Sequence, residues 1–155
     1  MYIDVRLKLT SPFLGNKRTP AQVRRFVRNK DDLALDLVQW NWALKESLMA
    51  LHIDSVDLEC IRLPTGIRMP AVVAYNRRWD NKGKEQQEMF EAIREGTVLT
   101  VPVLITSTSE NSSLRPPATE EFKSLINFTG KMLGLSPWGC RFGYGRFYVL
   151  SITEK

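Results

Sequence analysis

Side chains suited to metal and redox chemistry are scarce in this chain. Its two cysteines, Cys60 and Cys140, lie far apart and its one histidine is His52, so nothing stands at zinc-ligand spacing and two reduced thiols are the expectation. Long apolar runs are lacking: no stretch reaches bilayer-spanning length, and the first ten residues alternate where a signal peptide would be charged and then apolar. A cytoplasmic protein without a membrane partner is the expectation. No glycine-rich segment sits between a strand and a helix, as dinucleotide fingerprints and phosphate loops require. No serine stands in a nucleophile elbow and no predicted helix carries paired metal ligands, so no cofactor is expected. Acidic residues are missing from one stretch: Lys17, Arg18, Arg24, Arg25, Arg28 and Lys30 follow one another without an intervening Asp or Glu.

What is present is an ordinary globular composition of 155 residues, 43% apolar and 25% charged, with a net charge of +5. One domain over 1–155 with a real core fits that length, and the positive balance favours polyanionic partners. Ile3, Val5, Leu7 and Leu9 alternate with Tyr2, Asp4, Arg6 and Lys8, predicting a half-buried first strand. "SPFLGN" ends it in a turn, and the basic segment at 16–31 reads as an exposed loop. Leu37, Trp40, Leu44, Leu48 and Leu51 form the apolar stripe of a first helix. Strands are expected over Val56–Leu63, Ala71–Tyr75 and Thr97–Thr106, with Pro102 placing the last at an edge or bulge. "EMFEAIREG" reads as a short helix closed by Gly96, and 107–117 as a flexible loop. Thr119 offers an N-cap for a second helix with Glu120 and Glu121 in its first turn, buried through Phe122, Leu125, Ile126 and Leu133 and stopped by Gly134. A final strand covers Arg146–Ile152. This order predicts an α+β fold, two helices on one face of an antiparallel sheet, of which the ferredoxin-like split βαβ arrangement is the simplest member.

Chemistry concentrates in "GCRFGYGRF", Gly139 to Phe147. Glycines permit positive φ and exposed backbone N–H groups that cradle anions, with Arg141 and Arg146 flanking them and Phe142 or Tyr144 free to stack on a base. The same residues also suit a tight, twisted entry into the last strand. An RNA-recognition signature is excluded by position, because no helix and strand follow it.

A Gly-x-Gly-Arg-Phe loop between the last helix and the last strand, together with "LTSPFLG" after the first strand and "REGTVLTVPVLI" entering a later one, resembles the RAMP superfamily of CRISPR effector subunits. The resemblance runs from Tyr2 to Ile152. It implies a ferredoxin-like domain that binds guide RNA through its backbone, with the family's loop falling on Gly139, Gly143, Gly145 and Arg146 and its early turn on Pro12 and Gly15. Many members carry a second domain or a thumb insertion; a chain this size suits a pared-down relative.

The expectation that follows is a non-catalytic protein binding single-stranded RNA, or a ribonucleoprotein complex, through Lys17, Arg18, Arg24, Arg25, Arg28, Gly139, Arg141, Gly143, Tyr144, Gly145 and Arg146. A protein-interaction module, such as a phage or mobile-element subunit mimic or inhibitor, is the alternative. Trp42 carries that reading, because it points away from the buried Trp40 side of the first helix. A second alternative is a metal-independent endoribonuclease in which His52 serves as general acid or base; the same histidine also suits a helix-end dipole partner. Arg77 and Arg78 in "YNRRWDNKGK" read as a polar hairpin tip or as a nucleic-acid contact.

Overall fold

The computed structural model describes residues 1–108, 112–136 and 142–155. In chain order the elements are β1 (Tyr2–Leu9), β2 (Phe13–Leu14), β3 (Val23–Arg24), β4 (Arg28–Asn29), β5 (Asp32–Ala34), α1 (Leu37–Ala50), a 3-10 turn (Leu58–Cys60), β6 (Ile61–Arg62), β7 (Gly66–Arg68), β8 (Val73–Asn81), β9 (Lys84–Ile93), β10 (Val98–Ile105), α2 (Thr119–Phe128) continuing into a π-helical turn (Thr129–Leu133), and β11 (Phe147–Glu154). Among the described residues the fold is α+β, with mostly antiparallel sheets and two main helices.

The main sheet runs β11-β1-β10-β6, antiparallel throughout. Alternation in β1 buries Ile3, Val5, Leu7 and Leu9, and β10 buries Leu99, Val101, Val103 and Ile105. These residues join Trp40, Leu44 and Leu48 of α1 and Phe122, Leu125 and Ile126 of α2 in one core cluster. Phe147 of β11 lies in the same cluster, its ring centroid 6.2 Å from that of Trp40. Asp36 caps α1, its carboxylate accepting from Gln39 N–H at 3.0 Å. No helix among the described residues is long and apolar enough to cross a membrane. Pro102 falls where β10 has a partner on one side only, since β6 reaches just Leu104 and Ile105.

Several expectations are corrected. "EMFEAIREG" is no helix: β9 pairs with β8 from Val73↔Ala92 to Asn81↔Lys84, a long hairpin closed by Lys82 (φ +53) and Gly83 (φ +78). Both turn residues have the positive φ of a type I′ turn, and Phe90 and Ala92 are buried with a strand's period of two. The strand expected over Val56–Leu63 shrinks to β6, because Asp57 caps the 3-10 turn by accepting from Glu59 N–H at 3.0 Å. Ala118, not Thr119, flanks α2, and the Glu121 carboxylate closes that end by accepting from Ala118 N–H at 2.9 Å. The segment 16–31 is not simply an exposed loop: β3 pairs parallel with β9, and β4 pairs with β5.

Candidate nucleic-acid interface

The early turn and the glycine-rich loop, separated by most of the chain, are hydrogen-bonded to each other. Gly145 N–H donates to Pro12 O at 2.8 Å, Arg146 N–H to Ser11 Oγ at 2.9 Å, and Thr10 N–H to Arg146 O at 2.8 Å. Leu135 N–H donates to Gly145 O at 2.8 Å, while buried Gln39 of α1 holds the neighbouring Ser136 O through its amide at 3.2 Å. Gly145 stands at φ +69 and a Cβ there would lie 2.8 Å from Ser136 N, so only glycine fits. Gly143 shares the positive φ, at +79, but meets open space. On the other side Gly15 is pressed against the backbone of Arg25 and Phe26, where a Cβ would come within 2.5 Å.

The hairpin supplies the side chains opposite this loop. The period of β8 puts Tyr75, Arg77 and Trp79 on one face, half-buried, while Asn76 and Arg78 point to the exposed one. Tyr75 and Tyr144 bring their hydroxyls to 3.3 Å and their rings edge-to-face at 5.9 Å. The bond to Tyr144, reinforced by burial, pushes the Tyr75 phenol up to about 12, so it stays neutral at physiological pH. Beyond this pair the Arg77 guanidinium lies 4.3 Å from the ring centroid of Phe142, 4.8 Å from that of Trp79 and 5.8 Å from that of Tyr144. Among the described residues Arg77 makes no ion pair, since Glu88, opposite it on β9, is bonded to Arg24, and its guanidinium is held against ring faces. Phe142 is 48% exposed. A half-exposed ring with a guanidinium over it sets an aromatic surface beside positive charge, the pairing that single-stranded nucleic-acid sites use for base and phosphate.

The basic segment divides in two. Arg24 pairs with Glu88 of β9 and also donates to Asn16 Oδ1 at 3.0 Å. Arg28 is bidentate on Glu91, at 2.9 and 2.7 Å, and Phe26 N–H donates to the same carboxylate at 3.0 Å. Arg28 thereby holds the Glu91 carboxyl below the usual range. These two arginines are fixed to the hairpin as structural cations. Lys17, Arg18 and Arg25 make no ion pair among the described residues. Arg18, Thr19, Gln22 and Arg24 line a groove of about 580 Å³ against Asn76, Gln87 and Met89 of the hairpin. This groove opens on the Asn76 face of the hairpin, opposite the face of Tyr75, Arg77 and Trp79, whereas Lys17 and Arg25 line a separate hollow with Leu135, the residue bonded to Gly145.

Gly139 and Arg141 lie outside the described residues, as do Trp138 and Cys140. Trp42 is 41% exposed on the outer side of α1, apart from buried Trp40. His52 follows α1 at φ +54, its N–H donating to Met49 O at 3.2 Å and its side chain exposed. Cys60 is a buried free thiol, pushed up chiefly by burial. No group of three metal-ligating side chains forms among the described residues. The face built by Tyr75, Arg77 and Trp79 has a signal in "YNRRW", where aromatic and cation alternate at the period of a strand, but the spacing alone does not bring it to the glycine-rich loop. No protein-family model matches this chain, and no curated protein matches it.

Proposed function

We propose that this chain is a non-catalytic, RAMP-like protein that binds single-stranded RNA, free or within a ribonucleoprotein of the CRISPR-effector type. The observation that carries the reading is the Arg77 guanidinium, without an ion pair among the described residues, set against Phe142, Trp79 and Tyr144 beside the positive-φ glycines of the loop. A base stacks at the half-exposed Phe142 edge of the Arg77, Trp79 and Tyr144 cluster, and Arg77 with Lys17, Arg18 and Arg25, which make no ion pair among the described residues, meets phosphate. The sheet supports a ferredoxin-like reading. Counting only its own strands, the order is four-one-three-two, antiparallel, with α1 after the first and α2 before the last, as paired split βαβ units require. The hydrogen bond from Gly145 to Pro12 supports the pairing of the two motifs that the resemblance rests on.

The test is fluorescence anisotropy of a labelled 20-nucleotide oligouridine at low salt. Joint replacement Arg77→Ala and Phe142→Ala weakens binding at least about ten-fold, the size expected for losing a stacked base and a phosphate contact. A wild-type protein that leaves the oligonucleotide free, or a double variant binding as tightly as wild type, overturns the reading.

A second reading has its own observation. Val38, Trp42 and Met49 are exposed on the outer side of α1, a stripe at helical spacing left uncovered by the described residues. Under that reading the protein docks another protein, as a subunit mimic or inhibitor. Trp42→Ala then abolishes a complex that survives RNase during co-purification, and the RNA reading predicts that no such complex persists.

A further inference from the structure

The main sheet has two faces, and the helices take only one. Opposite the core, β1 presents Tyr2, Asp4, Arg6 and Lys8. Register places Lys8 between Tyr148 of β11 and Val98 of β10, and Arg6 between Ser151 and Thr100. Side chains opposite one another across such a ladder are about 5 Å apart at Cβ, so Tyr148 and Lys8 are neighbours. Arg6 follows on the same face ~7 Å along the strand. A register shift between Arg6 and Leu7 interrupts the alternation of β11, leaving Leu150 exposed alongside Tyr148. Tyr148 is 46% exposed and Tyr2 63% exposed.

Charge decides what such a face receives. Asp4, the one acid that β1 presents there, is taken by Lys155 at 3.1 Å. Neither Arg6 nor Lys8 has an ion-pair partner among the described residues, in contrast to Arg24, Arg28 and Arg115, each held by a glutamate. The aromatic ring with two free cations beside it is therefore matched to a base and the phosphates flanking it, and the apolar Val98 and Leu150 form the margin. The position also continues the first interface, because Tyr148 lies two residues beyond Arg146, whose carbonyl is bonded to Thr10 at the end of β1.

We propose that single-stranded RNA leaving the glycine-rich loop runs onto the open face of the main sheet, stacking a base on Tyr148 while Lys8 and Arg6 take successive phosphates. This rests on the RNA-binding reading above. The test uses the full chain and the same labelled oligouridine, with Tyr148→Ala as one variant and Arg6→Gln/Lys8→Gln as another; all three side chains stand outside the core. Tyr148→Ala weakens binding about five- to ten-fold. The double glutamine variant flattens the dependence of log affinity on log salt by about 1.4, the value for two single-strand phosphate contacts. Ultraviolet cross-linking of the wild-type complex attaches uridine to the peptide containing Tyr148.

If Arg77→Ala/Phe142→Ala weakens binding while both sheet variants keep wild-type affinity and salt slope and no cross-link appears at Tyr148, the path across the sheet is wrong and the loop reading stands. If no variant changes binding, or the wild type does not bind, both fall. A sheet variant that loses an RNase-resistant protein complex while keeping its RNA affinity overturns the inference in favour of a protein occupant.

Discussion

At Gly130 the requirement is for the absence of a side chain. The π-helical turn after α2 packs so closely on β11 that a Cβ at this position would overlap Phe147 O and lie 2.6 Å from its ring. Phe147 in turn is buried against Trp40, so neither partner has room to give. Gly130→Ala therefore destabilises the protein by about 2 kcal/mol, the ordinary cost of overpacking a filled core, read as a fall in the urea midpoint at unchanged slope. Nothing in "NFTGKML" announces this need. Gly145 is different: its glycine-rich neighbourhood signals unusual backbone in the sequence itself, although what it approaches, Ser136, lies nine residues earlier.

At the scale of elements, α2 shows how a helix end becomes a pH-dependent joint. Glu121 accepts from Arg115 through both carboxylate oxygens, at 2.5 and 2.7 Å, and from Ala118 N–H. Arg115, with the Ala118 N–H second, holds the Glu121 carboxyl down at about 2, against 4.5 for an unperturbed group. A depressed carboxylate adds stability that is complete above pH 4.5 and disappears as pH falls towards 2. The apparent melting temperature of wild type thus falls across that interval, and Glu121→Gln starts lower and loses less of it. A midpoint difference that stays constant from pH 6 to pH 2.5 contradicts the assignment. Glu121 is legible in the sequence as a first-turn acid, whereas Arg115, which does most to hold its carboxyl down, sits in a loop. The hairpin carries the opposite lesson. Met89, Phe90, Ala92 and Ile93 also fit a helical turn, and only pairing with β8 over nine positions makes β9 a strand. Local period was ambiguous there, and the partner strand decided.

Across the whole molecule, electrostatics separates cations that build the fold from those left for a ligand. Six basic residues without an intervening acid read as an open polyanion-binding loop, yet Glu88 and Glu91, more than sixty positions downstream, claim Arg24 and Arg28. Glu91 also receives Phe26 N–H, so it ties the segment after β3 to the hairpin. Glu91→Ala, which strands Arg28 and that N–H, costs about 2 kcal/mol in chemical denaturation. Arg28→Ala costs less, since its side chain is 39% exposed and only the partnered carboxylate is left behind. The two changes combined fall short of their sum, because each removes the same contact. RNA affinity of Arg28→Ala stays close to wild type, in contrast to Arg77→Ala.

By itself the sequence determined what depends on near neighbours along the chain: the alternation of β1, the buried stripe of α1, the acid-first start of α2, and the glycines that permit positive φ. These follow from fixed periods of two and 3.6 and from the steric limits on φ, which act within a few residues. The tertiary structure decided which charges are spent and which surfaces meet. Arg77 stands beside Phe142 and Tyr144, Gly145 lies against Pro12, and Arg28 is locked to Glu91 only because chain closure brings together residues that sequence spacing keeps apart. Coulomb attraction, stacking and hydrogen bonding act over a few ångströms of space whatever the separation along the chain.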